Sequence, residues 1–168
     1  PASTSPALGV LRCLDVEGRG EERDQLEGEV QRKIERLLTD PSTHGAAELL
    51  ASRLAAALGR SGPALDHARL AVGLMPDLGV ARRVLGEASM LAEHWADAVQ
   101  AFRRATELGL QAEAGTWERM ADALDELGQL DRAEHAAREA IRLTGDDTHA
   151  RRRRLNLLAV VLKHAARR

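Results

Sequence analysis

The sequence predicts an all-α fold built from repeated antiparallel helix pairs, and three observations carry that expectation. Ala (30 residues), Leu (26) and Arg (22) dominate the 168-residue chain, whereas Val and Ile together contribute 11 residues and Phe, Tyr and Trp only three. Such usage favours helix at nearly every position and starves a β-sheet of its preferred residues. Small residues recur with a period of about 34, three times over. The segments flanking these copies carry apolar residues three and four apart, the spacing of one helical face. The length fits one domain. A core of Ala and Leu buries little area per residue, so its stability has to come from many closely approaching helices.

The register is explicit. Ala64, Ala68, Ala71 and Pro76 superpose on Ala98, Phe102, Ala105 and Leu110 with a shift of 34, and these on Ala133, Ala137, Ala140 and Gly145 with a shift of 35. Upstream, the same frame aligns Ala51-Ser52 with Leu85-Gly86 and Met120-Ala121, and Ala55 with Ser89 and Leu124. Helix pairs are therefore expected within 45–76, 79–110 and 114–145. Gly59 and Gly128 fall in the turns between paired helices. Pro63 falls in a first helical turn, where its missing N–H costs nothing. Asp131 with Glu134 reads as a capping pair at the equivalent place. Gly86 and the alanines let neighbouring helices approach more closely than bulky side chains would allow.

This pattern resembles the tetratricopeptide repeat (TPR) family, whose unit carries an aromatic, Leu-Gly and Tyr on its first helix (helix A) and Ala, Phe, Ala and Pro on its second (helix B). Repeat two is the clearest copy, with Leu85, Gly86, Ala98, Phe102 and Ala105 on pattern and Trp95 where an aromatic is common at the start of helix B. Repeat three supplies Trp117 at the first aromatic place, and repeat one supplies Ala64, Ala71 and Pro76. The family's Tyr is absent, and Ala replaces Phe at 68 and 137, which implies less buried area per repeat. The resemblance spans about 45–147. It implies a right-handed superhelical TPR solenoid, with Trp117 buried between the helices of its repeat.

The flanks complete the organisation: 1–44, an N-terminal arm and degenerate helical repeat; 45–147, three TPR repeats; 148–168, a basic capping helix. Residues 21–39 predict a helix with Leu26, Val30, Ile34, Leu37 and Leu38 on its apolar side, ended by Asp40-Pro41. Val30, Ile34 and Leu37 match helix-B places one period before repeat one. Residues 7–16 are then either the first helix of that degenerate repeat or an extended arm, and 17–20 its turn. After Gly145 a last helix presents Leu155, Leu158 and Leu162 as one stripe, as expected of the helix that closes a solenoid. Residues 151–168 hold seven basic groups and no acid, whereas 1–150 carry a net charge of −9. Consecutive arginines project about 100° apart around a helix. One or two of Arg151–Arg154 should therefore dock on repeat three, whose stretch 113–147 has a net charge of −6.

Catalytic and metal-binding chemistry finds little support. The six histidines (44, 67, 94, 135, 149, 164) include no i, i+4 pair and no His-Glu-x-x-His, so neither a metal nor a cofactor is expected. The single cysteine, Cys13, excludes an intrachain disulfide and has no evident activating neighbour beyond Arg12. Gly18-Arg19-Gly20 lacks the Lys-Ser/Thr of a phosphate loop and reads as a turn. Glu118, Asp122, Asp125 and Glu126 read as a charged helix face rather than as acid–base catalysts. No apolar run approaches the roughly 18 residues that span a bilayer. The start, Pro-Ala-Ser-Thr-Ser-Pro, shows no secretory signal. A processed chain or a fragment would leave an upstream signal open, and a cytoplasmic location is the expectation.

In the TPR family the ligand groove is lined mainly by helix A. The resemblance places there Leu49, Arg53 and Ala56 in repeat one, Arg83, Glu87 and Met90 in repeat two, and Glu118, Asp122, Asp125 and Glu126 in repeat three. The groove should run from mixed and partly apolar to acidic, which suits a partner with a basic segment at the repeat-three end. The Lys and Asn pattern of TPR co-chaperones that clamp a C-terminal carboxylate is missing at Leu49, Glu87 and Glu118. The expected function is a non-catalytic adaptor or scaffold holding a peptide segment or helix of another protein, and a homo-oligomer is compatible with it. The alternatives are a binder of nucleic acid or an anionic membrane surface through the basic last helix, and a small TPR-type secretion chaperone. Nucleic acid is disfavoured, because the chain has almost no aromatics for stacking and its first 150 residues repel polyanions.

Overall fold

The computed structural model describes residues 19–145 and 148–166, and it is helical throughout, with no strand among the described residues. The expectations for residues 7–16, Cys13 and the first half of the 17–20 turn lie outside the described residues. The chain divides into two compact units, one up to Pro76 and one from Asp77.

In the first unit, α1 (Gly20–Leu38) buries Val30 and Ile34, with Leu26 and Leu37 half-buried beside them, and turns Leu38 outward. Asp40 ends the approach, its carboxylate accepting from the Ser42 N–H at 2.9 Å and opening a single 3₁₀ turn, Pro41–Thr43. The helices α2 (His44–Ala57) and α3 (Ser61–Leu74) fold back on each other through the turn at Gly59, φ +70°. Val30 and Ile34 share one apolar cluster with Ala47, Leu50, Ala51 and Leu54. At the Leu-Gly register of repeat one stands Ser52, which is buried because its hydroxyl donates to the Ala64 carbonyl at 2.8 Å across the pair.

The second unit holds α4 (Gly79–Leu91) with α5 (Trp95–Ala105), α6 (Ala114–Glu126) with α7 (Leu130–Arg142), and α8 (Thr148–Ala165), which packs on α7 and the edge of α6. A π turn, Thr106–Leu110, ends α5 with Gly109 at φ +105°. Gly86 explains the register: a Cβ there would lie 2.6 Å from Cε1 of Phe102, which is fully buried. The alanines that replace Phe102 in the other repeats, Ala68 and Ala137, are also fully buried. One cluster joins Ala98, Val99, Phe102, Met120, Leu124, Ala133 and Val161, with Trp95, Leu157 and Leu158 half-buried against it.

Three expectations are corrected. Leu155 and Leu162 are exposed (47% and 41%), and the face that α8 buries is centred on Arg154 and Val161 with Leu157 and Leu158 at its sides. Asp131 and Glu134 make no capping pair. α7 starts two residues earlier with Gln129 at its cap, leaving Asp131 in the first turn, where it still complements the helix dipole, and Glu134 pairs with Arg138 instead. Trp117 is half-buried rather than enclosed. Its indole N–H donates to the Gln111 carbonyl at 2.9 Å and its ring meets His135 edge-on.

Candidate functional site

The helix-A positions fall into groups on α2, α4 and α6. On α2, spacings of four and three place Leu49, Arg53 and Ala56 along one side, each half-buried. The neighbouring Glu48 was missed by sequence reasoning. It is buried, with its carboxylate 2.7 Å from His67 Nδ1 and 3.6 Å from His44 Nε2. The available signal was its register, since Glu48 stands where repeat three has Trp117.

On α4, Arg83 donates from Nη1 to Glu87 at 2.6 Å, and its Nε lies 3.4 Å from the carboxylate of Glu113, the residue that opens α6. The two groove charges of repeat two are thus paired with each other. Met90 is half-buried against the core cluster, so only part of it belongs to a binding surface.

On α6 the four acids separate into two kinds. Glu118 and Asp125 are taken by α8. Arg153 Nε donates to one Glu118 oxygen at 2.9 Å and Arg154 Nε to the other at 3.0 Å, while His164 Nδ1 lies 2.9 Å from Asp125. Arg154 is buried, and its Nη1 donates to the Thr144 hydroxyl at 2.7 Å. One period separates it from Met120, so a guanidinium occupies a core register and is satisfied by a carboxylate and a hydroxyl. Asp122 and Glu126 have no partner on α8 among the described residues; Asp122 lies 3.7 Å from Arg119 and Glu126 is exposed. Burial pushes the Asp122 carboxyl up to about 6, with the nearby charges of Glu118, Asp125 and Glu126 adding to it and Arg119 opposing it.

Two hollows of about 470 and 310 Å³ lie beside the α6–α7 turn, both bordered by Gln129 and Arg132, and neither is lined by a predicted groove residue. Among the described residues no group of three or more His, Cys, Asp or Glu side chains is arranged to hold a metal ion. No helix among them is long and apolar enough to cross a membrane.

No family profile and no curated protein matches the sequence. Solved structures do match the fold. The first TPR domain of human RPAP3 aligns over 76% of this chain and 95% of its own at 16% identity, with a TM-score of 0.66. BtubC from P. vanneervenii aligns over 95% of this chain and 72% of its own at 16% identity, with a TM-score of 0.72. A crystal structure of MamA aligns over 90% and 94% at 18% identity, with a TM-score of 0.64. At these identities the likeness concerns the fold alone. Helix pairs in threefold register, the close Gly86–Phe102 crossing and these neighbours agree that the chain has the tetratricopeptide-repeat fold.

Proposed function

We propose that the protein is a non-catalytic adaptor that holds a segment of a partner protein against the helix-A faces of α4 and α6, with a basic stretch of that segment meeting α6. The carrying observation is Asp122, a half-buried carboxylate raised to about 6 amid three other acids, of which α8 satisfies two. A cationic side chain delivered to Asp122 and Glu126 would relieve both the desolvation and the mutual repulsion. Arg83 and Glu87 on α4 supply the mixed surface along which the rest of the segment would lie. The TPR fold supports a protein partner, because repeated helix pairs expose many equivalent side chains on successive helices.

The test uses immobilised helical peptides of matched length carrying either Lys and Arg or Glu and Asp on one face. The basic peptides should bind, more weakly as salt rises, and the triple variant Glu87→Lys, Asp122→Lys, Glu126→Lys should abolish binding while each single change weakens it only mildly. Equal binding of acidic and basic peptides, or an unaltered triple variant, would remove the site from this face.

A further inference from the structure

The face of α8 that contains Leu155 and Leu162 has no use in the site above. Gly86 and Leu155 stand two periods apart in the same register, with Ala121 between them. At Gly86 the first helix of repeat two meets its own second helix, since that is where the ring of Phe102 comes in. The corresponding side of α8 is therefore the side by which an earlier helix A holds a helix. It carries Leu155, Ala159 and Leu162 at spacings of four and three, all exposed. Arg151, Arg152 and Lys163 border the strip and are exposed, whereas Arg153, Arg154 and His164 point to α6 and are taken there. α8 contains no acidic residue.

We propose that this strip docks an acidic amphipathic helix of a partner protein, laid against α8 as a second helix is laid against α4. The charge decides the occupant. A second copy bringing its own α8 would set Arg151, Arg152 and Lys163 against the same groups, whereas a helix with Glu or Asp beside its apolar stripe pairs with them. Size narrows it further. Leu155 fills the place where Gly86 and Ala121 leave room, so the incoming helix presents Ala or Gly at the crossing and larger aliphatic residues to either side. This surface is independent of the α6 acids proposed above.

The probe is a helical peptide as long as α8, 18 residues, with Ala at its centre, Leu at the flanking positions of one face and Glu on both borders. A charge-reversed peptide with Lys, and vesicles of phosphatidylserine and phosphatidylcholine, serve as competitors. The acidic peptide should bind the whole chain in a salt-dependent way. The pair Leu155→Gln, Leu162→Gln and the pair Arg152→Glu, Lys163→Glu should each weaken it by about tenfold or more. Both pairs alter exposed side chains, so circular dichroism and Tm should stay unchanged, and a pair that unfolds the protein is replaced by Leu155→Ala, Leu162→Ala. Equal binding of the Lys peptide, indifference to both pairs, binding to the vesicles without binding to the acidic peptide, or self-association lost with Leu155→Gln would each overturn the proposal. Retention of basic-peptide binding on α6 by these variants separates its failure from that of the adaptor site.

Discussion

In repeat two the bulkiest fully buried side chain, Phe102, fills its own helix pair against Gly86, whereas the same register of repeat three holds Ala121 and Ala137, and Val161, Leu157 and Leu158 arrive from α8. The charges follow the same division. Arg83 and Glu87 pair within α4, but Glu118 and Asp125 on α6 pair with Arg153, Arg154 and His164 on α8. Repeat two thus fills its own helix crossing with Phe102, whereas repeat three draws Val161, Leu157 and Leu158 from the helix that follows it. Within one acidic stripe, two positions thus tie down the following helix, and at the other two no described residue of α8 does so.

The largest expected effect attacks the crossing that repeat two fills with its own aromatic ring. Phe102→Ala should cost about 3–5 kcal/mol in denaturant unfolding. Gly86→Ala alone should cost about 1–3 kcal/mol, because its Cβ would meet the Phe102 ring. With Phe102 already Ala, the second change should cost nothing or stabilise, which makes repeat two resemble repeat three; simple additivity in this double-mutant cycle would refute the crowding account.

Next comes the borrowed closure. Glu118→Ala leaves the buried Arg154 guanidinium with only the Thr144 hydroxyl among its side-chain partners here, and should cost about 3 kcal/mol. Arg154→Met should cost much less, because Glu118 keeps Arg153 and the added apolar volume fits a core register. Equal costs in thermal melts would mean that the pair is not the feature holding α8.

Smaller is the pH effect of Asp122. Its folded-state value of about 6 lies above the ordinary 3.8, so its stabilising contribution is complete below 3.8 and is lost as pH rises through 6. Asp122→Asn should accordingly flatten the dependence between about pH 4 and 7 and raise stability at neutral pH by about 1–2 kcal/mol, a value discounted for solvent screening at a partly exposed side chain. An Asp122 titration midpoint near 4 by NMR would contradict it.

The smallest effect lies in the turns. Gly59, Glu93 and Gly128 occupy equivalent places with φ of +70°, +60° and +67°, so repeat two alone of the three asks an L side chain to adopt the left-handed region. Glu93→Gly should stabilise by about 0.5–1 kcal/mol after the extra freedom of the unfolded glycine is counted. A loss of stability would show that the Glu93 side chain has a compensating role.

The helix pairs, their turns and the reason for Gly86 are legible in the residues alone, because a period of 34 in small residues encodes close packing between neighbours in the chain. It also located the acidic side of α6, since helical spacing is enough to place residues on a common face. Which of those acids are used up depends on how α8 packs. Leu155, Leu158 and Leu162 form an apolar stripe on a helical wheel, but α8 is rotated so that Val161 and a buried Arg154 face α7 and α6, because Glu118 and Thr144 together satisfy the guanidinium. The buried Glu48 has the same origin, its carboxylate held by His67 from the other helix of its pair. Hydrophobic periodicity ranks side chains one at a time. The burial of a charge depends on a partner from another helix, and only the packed arrangement supplies it.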